Sequence, residues 1–146
     1  MKTTPKIKRV QLKINQDNES VLFGIVSTEP DYKLSLLLNR KLKISLKNLS
    51  PLILQDGSGG EIAFSRFSDT KASHGITYEL ISNRNGKNFL LKKLKNIDYI
   101  FQINNHDNEA DINHLASLLR DSEFITAVFS IDTASLKDKN LRYVTH

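Results

Sequence analysis

ITYELISNRNGKNFLLKKLKNIDYIFQI, residues 76–103, is the stretch on which the fold reading turns. Ile76, Tyr78 and Leu80 alternate with Thr77 and Glu79, the period-two pattern of a strand with one buried face. Arg84-Asn85-Gly86 reads as a turn, because Asn and Gly both tolerate positive φ. Phe89, Leu90 and Leu91 are expected to begin a return strand, with a second break at Lys95-Asn96. Ile97, Tyr99, Phe101 and Ile103 then align on one face of a third strand. The expectation is a three-stranded meander with a large apolar face.

Before it, residues 6–14 alternate apolar and cationic positions and read as an edge strand, where lysines discourage unwanted pairing. Val21 to Val26 suits a buried strand or a short helix, and Gly24 leaves both open. Thr28-Glu29-Pro30-Asp31 is a helix start, with Thr28 as the cap. Leu34, Leu37, Leu38 and Leu42 follow at helical spacing, and Arg40, Lys41 and Lys43 suit the negative pole of the helix dipole. Ile44, Leu46 and Leu49 read as extended up to Pro51, followed by a short strand at 52–55 and another at 61–68. The glycine-rich loop at 56–60 lacks the Gly-Lys-Ser/Thr ending of a P-loop and the dinucleotide fingerprint.

After the meander, a helix is expected over 108–120, with Asn108 and Asp111 in capping positions and Ile112, Leu115, Ala116 and Leu119 on one face. A strand at 124–131 completes a βαβ-like unit, and the tail from about 133 is expected to fray. The reading is one α+β domain spanning 1–146. Its mainly antiparallel sheet has five to seven strands, with two helices packed on it.

Composition removes several function classes. The 146 residues include no cysteine, so disulfides, thiolate metal sites and cysteine nucleophiles are excluded. The start, MKTTPKIKRV, is basic with no apolar run behind it, so neither a signal peptide nor a membrane span is expected, and the location expected is cytoplasmic. Net charge is +5 and uneven: 17 Lys/Arg face 9 Asp/Glu in residues 1–106, against 4 and 7 in 107–146. A basic body attracts phosphate backbones, although lysine and asparagine are abundant along the whole chain, as in proteins of AT-rich genomes.

Two residue clusters carry chemistry. Arg84, Lys87, Lys92, Lys93, Lys95 and Tyr99 combine cations with an aromatic ring, as a nucleic-acid surface requires; otherwise they form a solvated strand face with Tyr99 in the core. His106, Asp107, Asp111 and His114 lie close in sequence, but no HExxH motif accompanies them, and acidic residues at a helix start also answer its dipole. No Gly-x-Ser-x-Gly elbow frames a nucleophile. No catalytic, cofactor-binding or metal-ligating residue is therefore assigned.

The segment Leu91-Lys92-Lys93-Leu94-Lys95-Asn96-Ile97-Asp98-Tyr99 resembles the one that names the IPExxxVDY family of small Bacteroidetes proteins. Asp31-Tyr32-Lys33-Leu34, Leu38-Asn39, Phe64-Ser65-Arg66-Phe67, Ile81-Ser82-Asn83 and Val128-Phe129-Ser130-Ile131-Asp132 are similar too, as is Ser135-Leu136-Lys137. Lys92 and Lys93 stand where the family motif has proline and glutamate. The resemblance implies a bacterial cytoplasmic protein of unknown function and carries over no site residue.

The expected function is a non-enzymatic protein-interaction or adaptor module, with Leu36 or Tyr32 as a surface anchor and an unknown protein as partner. The alternative is a nucleic-acid-binding protein using the basic strand face; a small hydrolase stands third. No cofactor is expected, and the oligomeric state is left open.

Overall fold

The computed structural model describes residues 20–55, 57–71, 75–104 and 109–144. The expected strand at 6–14 and the expected cap Asn108 lie outside them. In chain order the elements are β1 (Val21–Val26), α1 (Asp31–Leu42), β2 (Lys47–Gln55), β3 (Glu61–Asp69), β4 (Thr77–Ser82), β5 (Arg84–Asn85), β6 (Asn88–Phe89), β7 (Tyr99–Asn104), α2 (Glu109–Arg120) and β8 (Ala127–Ser130), then a 3-10 helix at Lys139–Tyr143. Six strands form one sheet in the order β2-β3-β4-β7-β1-β8, and every neighbouring pair is antiparallel. The fold is α+β, as expected. Among the described residues no helix is long and apolar enough to cross a membrane.

β7 and β8 are both antiparallel to β1 and so run parallel to each other, with α2 as the crossover between them. This is the expected βαβ-like unit, with β1 inserted at its centre. Val21 to Val26 is a strand, and it fills that slot because it can be buried on both faces.

The alternation of β1, β4 and β7 decides which side chains meet. Phe23, Leu80 and Phe101 lie in register on one face, and Leu34 and Leu38 of α1 and Ala116 and Leu119 of α2 complete that core. Leu22, Ile81 and Ile100 point the other way and pack with Phe64, Leu90, Leu91 and Val144. Removing both faces from water is the main source of stability in such a sheet, at roughly 25 cal/mol for each Å² of apolar surface buried. Neither α-helix joins the second core; the 90–97 loop and the C-terminal segment cover that face.

Three expectations are corrected by this arrangement. Residues 89–91 form no return strand: β4 pairs with β7 directly, and β6 pairs only with β5. Leu90 and Leu91 are both fully buried in a loop whose backbone is held by Asn83, not by a neighbouring strand. The turn is also one residue later than expected. Asn85 pairs with Asn88, which leaves Gly86-Lys87 as the two-residue loop, and Gly86 at φ +62 fits the first position of a type II′ turn. The tail does not fray before Val144, because Leu136, Leu141 and Val144 join the second core and buried Asn140 donates to the Leu90 carbonyl at 2.8 Å.

Smaller differences have local causes. The N-cap of α1 is Pro30 rather than Thr28, and the Asp31 carboxylate accepts from the Tyr32 amide. Strand β2 runs through Pro51 instead of stopping there. A bulge between Leu49 and Leu52, at the edge of the sheet, tolerates the missing N–H.

Gly24 explains how β1 stays covered. A Cβ there would stand 2.8 Å from Ile97 Cδ1 and 3.2 Å from its Cγ1 and Cγ2, and Ile97 is itself buried. Gly24→Ala is expected to cost about 1–3 kcal/mol by overpacking, read from urea unfolding. In an Ile97→Ala background the added cost should fall toward zero. An equal cost in both backgrounds would show that the contact is not its cause.

Candidate functional site: a basic groove

The chain leaves the sheet after β4 and returns at β7, and Asn83 holds that excursion closed. Its amide nitrogen donates to the carbonyls of Leu94 at 2.9 Å and Ile97 at 3.0 Å, while its side-chain oxygen accepts from the Leu91 amide at 2.8 Å. Its backbone bonds to Asp98 and Leu90. Asn83 is fully buried, so each of these bonds forms where water cannot substitute. With Leu90, Leu91 and Ile97 turned inward, Lys92, Lys93 and Lys95 are left on the outside.

These lysines form one wall of a groove of about 690 Å³. Lys87 from the β5–β6 turn adds to that wall, and Lys139, Arg142 and Tyr143 of the 3-10 helix line the groove as well. Leu54 of β2, Ile62 of β3 and Phe89, all partly exposed, supply apolar surface over the buried Phe64. Six cations thus line the groove with no carboxylate among the described lining residues, and none of the six is in an ion pair with a described residue. Like charges gathered in a concavity focus the field and raise the local concentration of anions.

Four of the six residues singled out in sequence converge here: Lys87, Lys92, Lys93 and Lys95. Arg84 does not. Its guanidinium pairs with Asp98 and lies 5.7 Å from the centre of the Phe89 ring. Tyr99 is on the opposite face of the sheet, only 8% exposed, with its hydroxyl donating to the Glu29 carbonyl at 2.6 Å. Its register opposite Ile25 and Ser82 turns it toward α1, so it is a core residue and cannot stack on a ligand of the groove. Sequence reasoning missed Tyr143, whose ring lines the groove with the Arg142 guanidinium 5.0 Å from its centre. Its signal was present as Lys139-Asn140-Leu141-Arg142-Tyr143, hidden by the expectation of a frayed tail.

Half of the second cluster can be placed. His106 and Asp107 lie outside the described residues. Asp111 and His114 are exposed on α2 and line a separate cavity of about 840 Å³ with Asp69, Tyr78, Lys41, Lys43 and Lys71. The buried Asp69 carboxylate already accepts from the amides of Ser45 and Lys71. Among the described residues no three His, Cys, Asp or Glu side chains are grouped to hold a metal ion.

Two tyrosines have altered acidity. Burial raises the Tyr78 hydroxyl above its usual range, with smaller contributions from the negative charges of Asp69 and Asp111. Burial, then Asp31, Asp98 and Glu29, push Tyr99 up to about 12, partly opposed by Arg84. An unfolded tyrosine ionises near pH ~10, so above that pH the unfolded chain binds fewer protons and stability must fall. The loss from Tyr99 should run from about pH 10 to about 12. Tyr99→Phe should be less stable at neutral pH by about 1 kcal/mol, for the missing hydrogen bond, yet decline less steeply across that window. Urea midpoints measured against pH check this, and equal slopes would contradict it.

Comparison with protein-family models, curated proteins and solved structures finds no match to this chain, so the family resemblance rests on the residues quoted for it.

Proposed function

We propose that this protein is a non-enzymatic binding module that holds a polyanionic ligand in the groove between β2–β3 and the 3-10 helix. The observation that carries the reading is the convergence of Lys87, Lys92, Lys93, Lys95, Lys139 and Arg142 on one concavity without a described carboxylate. Asp138 borders the wall, its carboxylate accepting from the Lys93 and Asn140 amides, and the cations outnumber it. They come from three separate segments of the chain, brought together by the Asn83 and Asn140 hydrogen bonds. Membership of the IPExxxVDY family is proposed from its matching residues, two of which have structural work. Asp98 accepts from the Ser27 amide and pairs with Arg84, and Tyr99 bonds to Glu29.

The adaptor reading keeps one observation of its own. Tyr32 and Leu36, one turn apart on α1, are 63% and 61% exposed, which places two large apolar side chains together in solvent. Isolated apolar residues are ordinary on protein surfaces, so the pair favours a protein contact less strongly than the groove favours an anion.

Retention on immobilised heparin tests the proposal. Lys92→Glu/Lys93→Glu and Lys139→Glu/Arg142→Glu are each expected to elute at clearly lower salt than Lys47→Glu/Lys137→Glu. That control pair is exposed, stands outside the groove and carries the same change of charge. Equal shifts in all three would mean that net charge alone governs retention, and would overturn the assignment of the groove.

A further inference from the structure

Resting on the polyanion reading of the groove, we infer that its ligand is a short run of single-stranded nucleic acid, with unpaired bases against the apolar floor and Tyr143. Two kinds of surface meet in this one concavity. Exposed cations can reach an anionic backbone, while the partly exposed Leu54, Ile62 and Phe89 offer apolar contact. A ligand complementary to both must carry repeated negative charge together with flat apolar groups. Single strands do so, because their unstacked bases are free to lie on side chains while phosphates track a basic groove. An acidic peptide matches the cations and leaves the floor in water.

Duplex recognition fits less well. Reading a duplex in its major groove requires a helix or a two-stranded ribbon that projects from the surface. The β5–β6 ribbon is the element here with that shape, and it is tied down. Asn85 donates to the Ala63 carbonyl at 2.7 Å, and Arg84 is paired with Asp98. Lys87 and Asn88 of this ribbon line the concavity. A volume of about 690 Å³ also matches the range of small-ligand sites.

Tyr143 is the residue through which the inference can be separated from simple charge attraction. It is half-buried at the groove, and its ring already accepts one planar cation in Arg142. Stacking on aromatic rings tolerates any base, so the expected binding shows little sequence preference. It should weaken steeply with salt, with a log–log slope of about −0.7 per phosphate contact in a single strand.

The test is fluorescence anisotropy at low salt with three labelled probes: a 12-residue oligothymidine, a duplex of the same length, and a polyglutamate peptide of matched charge. The folded state of each variant is checked by circular dichroism. Oligothymidine is expected to bind at least tenfold more tightly than either competitor. Tyr143→Leu, which keeps the apolar burial, should weaken it by about tenfold, and Tyr143→Phe should retain it. Lys92→Ala/Lys93→Ala should weaken it and lower the salt slope by about 1.4, roughly 0.7 for each lysine that neutralises a phosphate. If duplex or polyglutamate binds as well as the single strand and Tyr143→Leu changes nothing, the inference is overturned while the polyanion reading stands. If no probe binds, that reading falls as well.

Discussion

The hydrogen bonds of Asn83 are the constraint on which the basic groove depends. Residues 84–97 leave the sheet between two strands that pair with each other, and beyond the β5–β6 hairpin the backbone groups of 90–97 have no ladder to join. One buried carboxamide answers that need by bonding to Leu91, Leu94 and Ile97 together. Leaving those groups unpaired in a dry interior would cost about 1–3 kcal/mol each, which makes the loop's shape a consequence of this residue. Leu90 and Leu91 can then point inward, and Ile97 can close over Gly24. The lysines between them have no choice but to face solvent.

The second face of the sheet follows from the same closure. A six-stranded sheet with helices on one side must cover its other side, or expose Leu22, Ile81 and Ile100. The Asn83 loop covers part of it. The C-terminal segment covers more, docked by Asn140 on the carbonyl of Leu90, a residue whose own amide bonds to the Asn83 backbone. Lys139, Arg142 and Tyr143 therefore reach the groove because an apolar surface needed burying. Packing and the proposed ligand binding share one segment, whose exposed side carries Lys139 and Arg142.

Much of the fold was legible in the sequence, for reasons that can be named. The alternation Tyr99, Phe101, Ile103 placed β7 because these three share the helix-side face, but Ile97, expected to extend the series, lies before the strand and packs over Gly24 instead. The leucines of α1 and the apolar stripe of α2 were equally plain. The region after β4 was misread because Phe89-Leu90-Leu91 looks like a strand until Asn83 is known to be buried. A lone asparagine gives no periodic signal. The tail was misread because Leu136, Leu141 and Val144 are too widely spaced to suggest an element, though all three are anchors. For the groove, four lysines were found because they cluster in sequence. Tyr99 was wrongly added because nearness in sequence is not nearness on one face: a strand turns alternate residues to opposite sides.

Native-state hydrogen exchange at the Leu91 amide tests the central claim most directly. This amide sits in a loop by its backbone conformation, yet bonds to a fully buried side chain. The account predicts protection close to that of the β7 amides, opening only with global unfolding, and its loss in Asn83→Ala before the sheet itself unfolds. Rapid exchange at Leu91 in the wild type, at the rate of an exposed loop, would contradict it. The lysine wall would then be a fluctuating segment without a preformed groove.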